Sequence, residues 1–164
     1  MIDRLTIFDF TPDTNIRQWK VVDDVVMGGR SSGEITISSE GTGLFRGKVS
    51  LENNGGFSSV RHSFPTTDVS KYNKFVLRLK GDGKRYQFRV KESQSDYYSF
   101  ISYIQTSTDW AEYEIEFQQM YPVFRGRNLD MPNFAGKKME ELGLLIANKK
   151  PESFALEIDR IEVR

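Results

Sequence analysis

The stretch 74–90, KFVLRLKGDGKRYQFRV, decides the fold class, because period-two alternation stands on both sides of a turn signal. Phe75, Leu77 and Leu79 share one face of a strand, opposite Lys74, Arg78 and Lys80, with Val76 interrupting the alternation on the second face. Tyr86, Phe88 and Val90 oppose Gln87 and Arg89 in the same way. Gly81-Asp82-Gly83-Lys84 lies between the two runs and contains Asp-Gly, so the pattern predicts a β-hairpin.

Outward from this stretch the same period recurs. Strands are expected at 34–38, 44–50, 57–64, 98–105, 110–117, 142–147 and 154–163. In the last, Phe154, Leu156 and Ile158 share a face and Ile161 and Val163 continue from the other parity, so a bulge near Asp159-Arg160 is expected to restore one face. Helix is scarce. One short turn opened by Asp13 or Thr14 and reaching Trp19, and another within 133–141, are the candidates. Many short strands with almost no crossover helices predict an all-β protein, a jelly-roll β-sandwich of two antiparallel sheets with one or two short helices. No linker divides the chain, and 164 residues suit a single domain over 1–164.

Composition narrows the function classes. Basic and acidic residues balance at 23 each, so no global field attracts nucleic acid or an anionic membrane. The absence of cysteine removes disulfides, thiolate nucleophiles and thiolate metal sites. No signal peptide, mitochondrial leader or transmembrane run is legible, so the expectation is an intracellular chain, cytoplasmic if bacterial, without membrane insertion.

The segment 21–33, VVDDVVMGGRSSG, carries the sharpest chemical question. Adjacent strand residues point to opposite faces, so Asp23 and Asp24 form no carboxylate dyad unless the backbone kinks between them. One of them can turn to accept hydrogen bonds from backbone N–H groups in the following turn, or pair with Arg30 or Arg61. Gly28 and Gly29 supply positive φ or a close backbone approach. Asn53-Asn54-Gly55-Gly56 is a second turn signal, leading into Phe57 and Arg61. Gly28-Gly29-Arg30-Ser31-Ser32 and Gly55-Gly56-Phe57-Ser58-Ser59 echo each other, which reads as one turn chemistry used twice.

His62, the sole histidine, reads as a packed side chain, since no nucleophile-elbow sequence accompanies it. With one histidine and no cysteine, no metal site is predicted and no cofactor is called for. Structural calcium held by Asp side chains and carbonyls is the one arrangement left open. Glu112, Glu114 and Glu116 alternate with Tyr113, Ile115 and Phe117 as a solvated strand face does. Tyr97, Tyr98, Tyr103, Trp110 and Tyr121 suit core packing or stacking on a sugar ring.

Three blocks taken together, 19–31, Phe45-Arg46-Gly47 and 53–61, resemble the signature of the complex I intermediate-associated protein 30 family. Lys80-Gly81-Asp82-Gly83, Trp110 and Phe124-Arg125-Gly126-Arg127 follow in the family's order, and the resemblance spans nearly the whole chain. It implies a galactose-binding-like jelly roll similar in architecture to carbohydrate-binding modules. It also implies an assembly role, since the family's mitochondrial members associate with intermediates of respiratory complex I. The family residues carried here are Asp23, Asp24, Met27, Gly28, Gly29, Asn54, Gly55, Gly56, Phe57 and Arg61.

The expectation is therefore a non-catalytic binding domain acting through a protein partner in assembly or chaperoning. A carbohydrate-binding module is the alternative, and an enzyme using Asp23 or Asp24 the third reading. The expected working surface is one rim, made of Asp23, Asp24, Met27, Arg30, Asn53, Asn54, Phe57, Arg61, Arg125 and Arg127, with Gly28, Gly29, Gly55 and Gly56 as its turns.

Overall fold

A computed structural model describes residues 3–24 and 28–164, and the side chain of Asn54 lies outside that description. Its strands are β1 (Leu5–Asp9), β2 (Trp19–Asp23), β3 (Ser32–Ile37), β4 (Gly43–Val49), β5 (Ser58–Asp68), β6 (Lys74–Lys80) and β7 (Arg85–Lys91). They continue as β8 (Ser99–Gln105), β9 (Trp110–Glu116), β10 (Tyr121–Phe124), β11 (Arg127–Asn128), β12 (Lys138–Ile146) and β13 (Glu152–Val163). A six-stranded sheet runs β3-β4-β13-β6-β9, with β1 also paired to β13, and a seven-stranded sheet runs β11-β10-β8-β7-β12-β5-β2. Every pairing is antiparallel. The two sheets form a jelly-roll sandwich.

Alternation places the core. Phe75, Leu77 and Leu79 of β6 and Leu156, Ile158 and Ile161 of β13 meet Tyr86, Phe88 and Val90 of β7 and Leu142, Leu144 and Ile146 of β12, all of them buried. Phe75 and Phe88 touch across the sandwich with ring centroids 4.9 Å apart, edge to face. The register of β13 on β6 slips between Ile158 and Arg160, so the expected bulge is present and returns Ile161 and Val163 to the core. His62 is buried beside Trp19, centroids 5.2 Å apart, and its Nδ1–H donates to the Gln18 carbonyl at 2.9 Å. Burial holds its pKa below the ordinary value and the carbonyl only partly opposes this, so the ring is a neutral packing element.

Three expectations need correction. The Gly81–Lys84 segment closes no hairpin: β6 belongs to the six-stranded sheet and β7 to the other, so the segment carries the chain across the sandwich. The Asp82 carboxylate organises that corner. It accepts from Ala155 N–H at 2.8 Å, from Tyr86 Oη at 3.0 Å and from Lys84 N–H at 3.2 Å, tying the crossing to β13 and to the start of β7. The tight hairpin instead joins β10 to β11 through Arg125 and Gly126, both at positive φ (50° and 77°), as a two-residue primed turn requires.

The helices also differ. The first turn is a 3-10 segment, Ile16–Gln18, capped by Asn15 rather than by Asp13 or Thr14. No helix forms within 133–141, where β12 begins at Lys138. Two further 3-10 turns, Glu52–Asn54 and Phe117–Gln119, bring the described set to three. No helix among the described residues is long and apolar enough to cross a membrane.

The Asp82 corner gives a direct stability prediction. Asp82→Ala strands the Ala155 and Lys84 amides and the Tyr86 hydroxyl, so it should cost about 2 kcal/mol in urea unfolding, whereas Tyr86→Phe should cost about 1 kcal/mol or less from the same network.

Candidate functional site

The two acids of VVDDVVMGGRSSG occupy the place where the sandwich must close. β2 is the last strand of the seven-stranded sheet and β3 the last of the six-stranded sheet, so two open edges meet here. Asp24 is buried at 1% exposure. Its Oδ1 accepts from Ser31 N–H at 2.8 Å, and its Oδ2 accepts from Gly56 N–H at 2.6 Å, from Phe57 N–H at 3.2 Å and from the Ser31 hydroxyl. Asp23 accepts from Gly33 N–H at 2.8 Å and from Ser58 Oγ. The two echoing Gly-Gly segments thus converge on the acid pair, one leading into β3 and the other into β5. The donors are amides at strand starts that lack ladder partners, and a carboxylate satisfies several of them at once.

The glycines follow from this. A Cβ on Gly29 would sit 2.4 Å from the Asp24 carboxyl carbon, and one on Gly55 would sit 2.5 Å from its Oδ2. Gly28 supplies a positive φ of 88° in open space. Gly29 therefore makes its close approach to a carboxylate rather than to another backbone.

Electrostatics separate the two acids. Burial alone would raise the pKa of Asp24, but donation from Ser31, Gly56 and Phe57 outweighs it and holds the carboxyl below the usual range. For Asp23 burial prevails over the bonds from Ser58 and Gly33, the neighbouring Asp24 charge adds to it, and the pKa is raised.

The expected rim does not assemble as one surface. Neither acid pairs with an arginine: Arg30 lies 3.5 Å from Glu52 with both side chains exposed, and Arg61 points from the outer face of β5. Backbone amides and serine hydroxyls take the place of the expected guanidinium. Asn53 is an exposed left-handed turn residue with φ of 56°. Phe57 contributes through its backbone, donating to Asp24 Oδ2 and accepting from Asp24 N–H at 3.3 Å. Met27 and the Asn54 side chain fall outside the described residues. Arg125 and Arg127 stand at the far edge of the seven-stranded sheet, six strand spacings or roughly 29 Å from β2 at about 4.8 Å each. There Arg125 lies over the Phe124 ring at 5.2 Å, beside Tyr97.

A different surface has the character of a binding site. On the outer face of the seven-stranded sheet the register aligns Tyr121, Ile101, Arg89, Gly143, Arg61 and Lys20 across six strands. The flanking rows carry Tyr103, Gln87 and Leu145 on one side and Lys91, Glu141 and Ser63 on the other. Arg85 lies over the Tyr103 ring at 4.1 Å. Lys20, Arg61, Arg85, Arg89 and Lys91 thus share this face, with Glu141 the carboxylate of the aligned rows and the Lys91 ammonium donating to the Asp96 carbonyl at 2.8 Å, and none of the five forms an ion pair among the described residues. Burial, and after it the neighbouring Arg61 charge, pushes the Arg89 guanidinium down to about 10, against the pull of Glu141 and Tyr103.

The opposite face behaves otherwise. On the six-stranded sheet Arg160 pairs with Glu112, Arg164 with Glu162, Arg78 with Asp159, Lys74 with Glu114 and Arg46 with Glu34. Arg89 and Gln87 were visible in the sequence as the polar side of a strand. Their meeting with Arg61 and Glu141 depends on the β7-β12-β5 order, which no local pattern encodes.

Residues 8–158 match the family described as Complex I intermediate-associated protein 30, and the chain belongs to that family. It is 27% identical to the mitochondrial Complex I intermediate-associated protein 30 of Drosophila melanogaster, over 94% of this chain and 61% of that protein. To the Mus musculus protein of the same name it is 23% identical, over 96% of this chain and 55% of that protein. The chain therefore spans little more than half the length of these relatives. Among solved structures it is similar to the family 11 carbohydrate-binding module from Clostridium thermocellum in complex with a beta-1,3-1,4-mixed-linked tetrasaccharide, with TM-score 0.66, 17% identity and coverage of 98% of this chain and 94% of that one. A family 29 carbohydrate-binding module aligns with TM-score 0.53 at 13% identity, covering 98% of this chain and 87% of that one. At these identities the likeness is one of fold.

The acid pair predicts mutational effects of unequal size. In Asp24→Asn the amide nitrogen must face at least one backbone N–H whichever way it turns, so unfolding free energy at pH 7 should fall by about 2–4 kcal/mol. Asp23→Asn can accept from Gly33 and donate to Ser58 Oγ, and should change stability by less than about 1 kcal/mol. Because the folded pKa of Asp24 is depressed, its contribution is full above an unfolded value of about 3.9 and is lost as pH falls through the folded value. Asp23 has the reverse sign, contributing below its unfolded value and losing that contribution as pH rises through the folded one. The Asp24→Asn penalty should therefore shrink in urea titrations carried out below about pH 3.9.

Proposed function

We propose that this chain is a non-catalytic binding domain acting through a protein partner in the assembly or chaperoning of a multi-subunit complex. One observation carries the reading: the outer face of the seven-stranded sheet keeps five cations without ion pairs, while Arg46, Lys74, Arg78, Arg160 and Arg164 of the other face are each paired with a carboxylate. Unpaired charge on a broad, regular sheet surface suits electrostatic complementarity with another macromolecule. Membership in the Complex I intermediate-associated protein 30 family supports the assembly role. The acid pair does not support catalysis, because both carboxylates are engaged with amides and hydroxyls of their own fold.

The solved-structure likeness favours a second reading, a glycan-binding module, since the first of the two neighbours described above holds a mixed-linked tetrasaccharide. Tagged chain used to capture partners from its native extract, followed by reconstitution from purified components, separates the two. The first reading predicts a complex that co-elutes in fixed stoichiometry on size exclusion, and silence on a glycan array that includes mixed-linked β-glucan. A glycan hit with no reconstituted complex would replace it with the second.

A further inference from the structure

The chemistry of the unpaired face specifies what it would hold. We propose that the notch between Arg61 and Arg89, floored by Gly143, binds carboxylate side chains of an acidic segment of the protein partner. This rests on the partner-binding reading above and names the partner's chemistry.

The notch follows from the register. Arg89 of β7 and Arg61 of β5 stand opposite the same residue of β12, and that residue is Gly143. Their backbones are therefore two strand spacings apart, about 10 Å, and Gly143 adds no side chain of its own between them. The Arg61 stem leans over the gap: a Cβ added to Gly143 would lie 3.3 Å from Arg61 Cγ and 2.7 Å from the Val60 carbonyl. Any larger residue at 143 would displace the Arg61 stem from its place beside Arg89. The depression is bounded further by Lys91 and Glu141.

Donor and acceptor bookkeeping selects the ligand. Arginine and lysine only donate, the one amide acceptor nearby, Gln87 Oε1, is already taken by Arg89 at 2.6 Å, and Oε1 of the bounding Glu141 accepts from Ser63 Oγ at 3.1 Å. Neutral hydroxyls both donate and accept, so a surface where cations outnumber the free Glu141 oxygen leaves most of their donors unanswered. A carboxylate only accepts and matches the guanidinium fork in shape. Bound between Arg61 and Arg89 it would also relieve the repulsion that, with burial, depresses Arg89.

The aromatic that a sugar ring would stack on is compromised as well, because Arg85 already covers a face of Tyr103. The exposed Tyr103 and half-buried Tyr121 beside the cations give a polypeptide apolar contact within reach of the charges. An acidic stretch of protein uses both; an acidic polysaccharide uses only the cations.

The test measures binding of poly-L-glutamate, polygalacturonate and mixed-linked β-glucan to the full chain, following the side-chain Nε–H signals of arginine by NMR. Arg61→Gln is the decisive variant, since Arg61 makes no side-chain hydrogen bond or ion pair among the described residues and its loss should leave the fold intact. Poly-L-glutamate should shift the Arg61 and Arg89 signals, bind more tightly than either polysaccharide, and weaken by about tenfold in Arg61→Gln and again in Arg89→Gln. Tighter binding of polygalacturonate or glucan, or poly-L-glutamate binding unchanged in Arg61→Gln, would overturn the assignment. A reconstituted partner held equally by wild type and Arg61→Gln would overturn it too, and would leave the partner-binding reading standing.

Discussion

The closure of the sandwich hangs on one carboxylate. Asp24 lies where the terminal strands of the two sheets meet, and it gathers donors from the segment entering β3 and from the segment entering β5. Those amides begin their strands beyond the reach of ladder partners. Left buried and unpaired, each would cost free energy of the order of 1–3 kcal/mol. A single ionised carboxylate that accepts from both segments, Ser31 N–H on Oδ1 and Gly56 and Phe57 N–H on Oδ2, removes that cost and fixes the relative position of two sheet edges. Gly29 and Gly55 follow as a geometric necessity, because a Cβ on Gly29 would lie 2.4 Å from Asp24 Oδ1 and one on Gly55 2.5 Å from Oδ2.

The adjacency of two acids has a physical explanation on the same ground. Successive residues leave a strand end in different directions, so Asp24 reaches Ser31 and the Gly56-Phe57 amides while Asp23 reaches Gly33 and Ser58. One acid could not serve both sets. Having committed its most conspicuous acids to architecture, the molecule keeps its unsatisfied charge elsewhere, on the outer face of the seven-stranded sheet. A formally neutral chain thus carries one face whose arginines are paired with carboxylates and one face whose cations are not.

Much of the fold was legible because period-two alternation is local. β6 and β7 were readable from residues 74–90 alone, and the bulge of β13 from a parity change at Asp159-Arg160. The connection between β6 and β7 was misread because Asp-Gly signals a tight turn whether its flanking strands pair or part; Asp82 here bonds to Ala155 of β13 instead of closing a ladder. The short strands β1, β2, β10 and β11 lacked the length for a clear period. Arg-Gly at 125–126, a weaker signal than Asp-Gly, makes the primed hairpin. The basic face was the least visible feature, since Arg61, Arg89 and Glu141 come together only through strand order across the sheet.

The measurement that bears most directly on the architectural role of the acid pair is a carbon-detected NMR titration of the Asp side-chain carboxyls in the folded chain. The structure predicts that Asp24 stays ionised below the usual carboxylate range, with the Ser31 and Gly56 amide protons shifting as it finally titrates, and that Asp23 takes up its proton above that range. If both carboxyls titrate together near about 3.9, the ordinary aspartate value, without moving those amides, the acids do not hold the two sheets together.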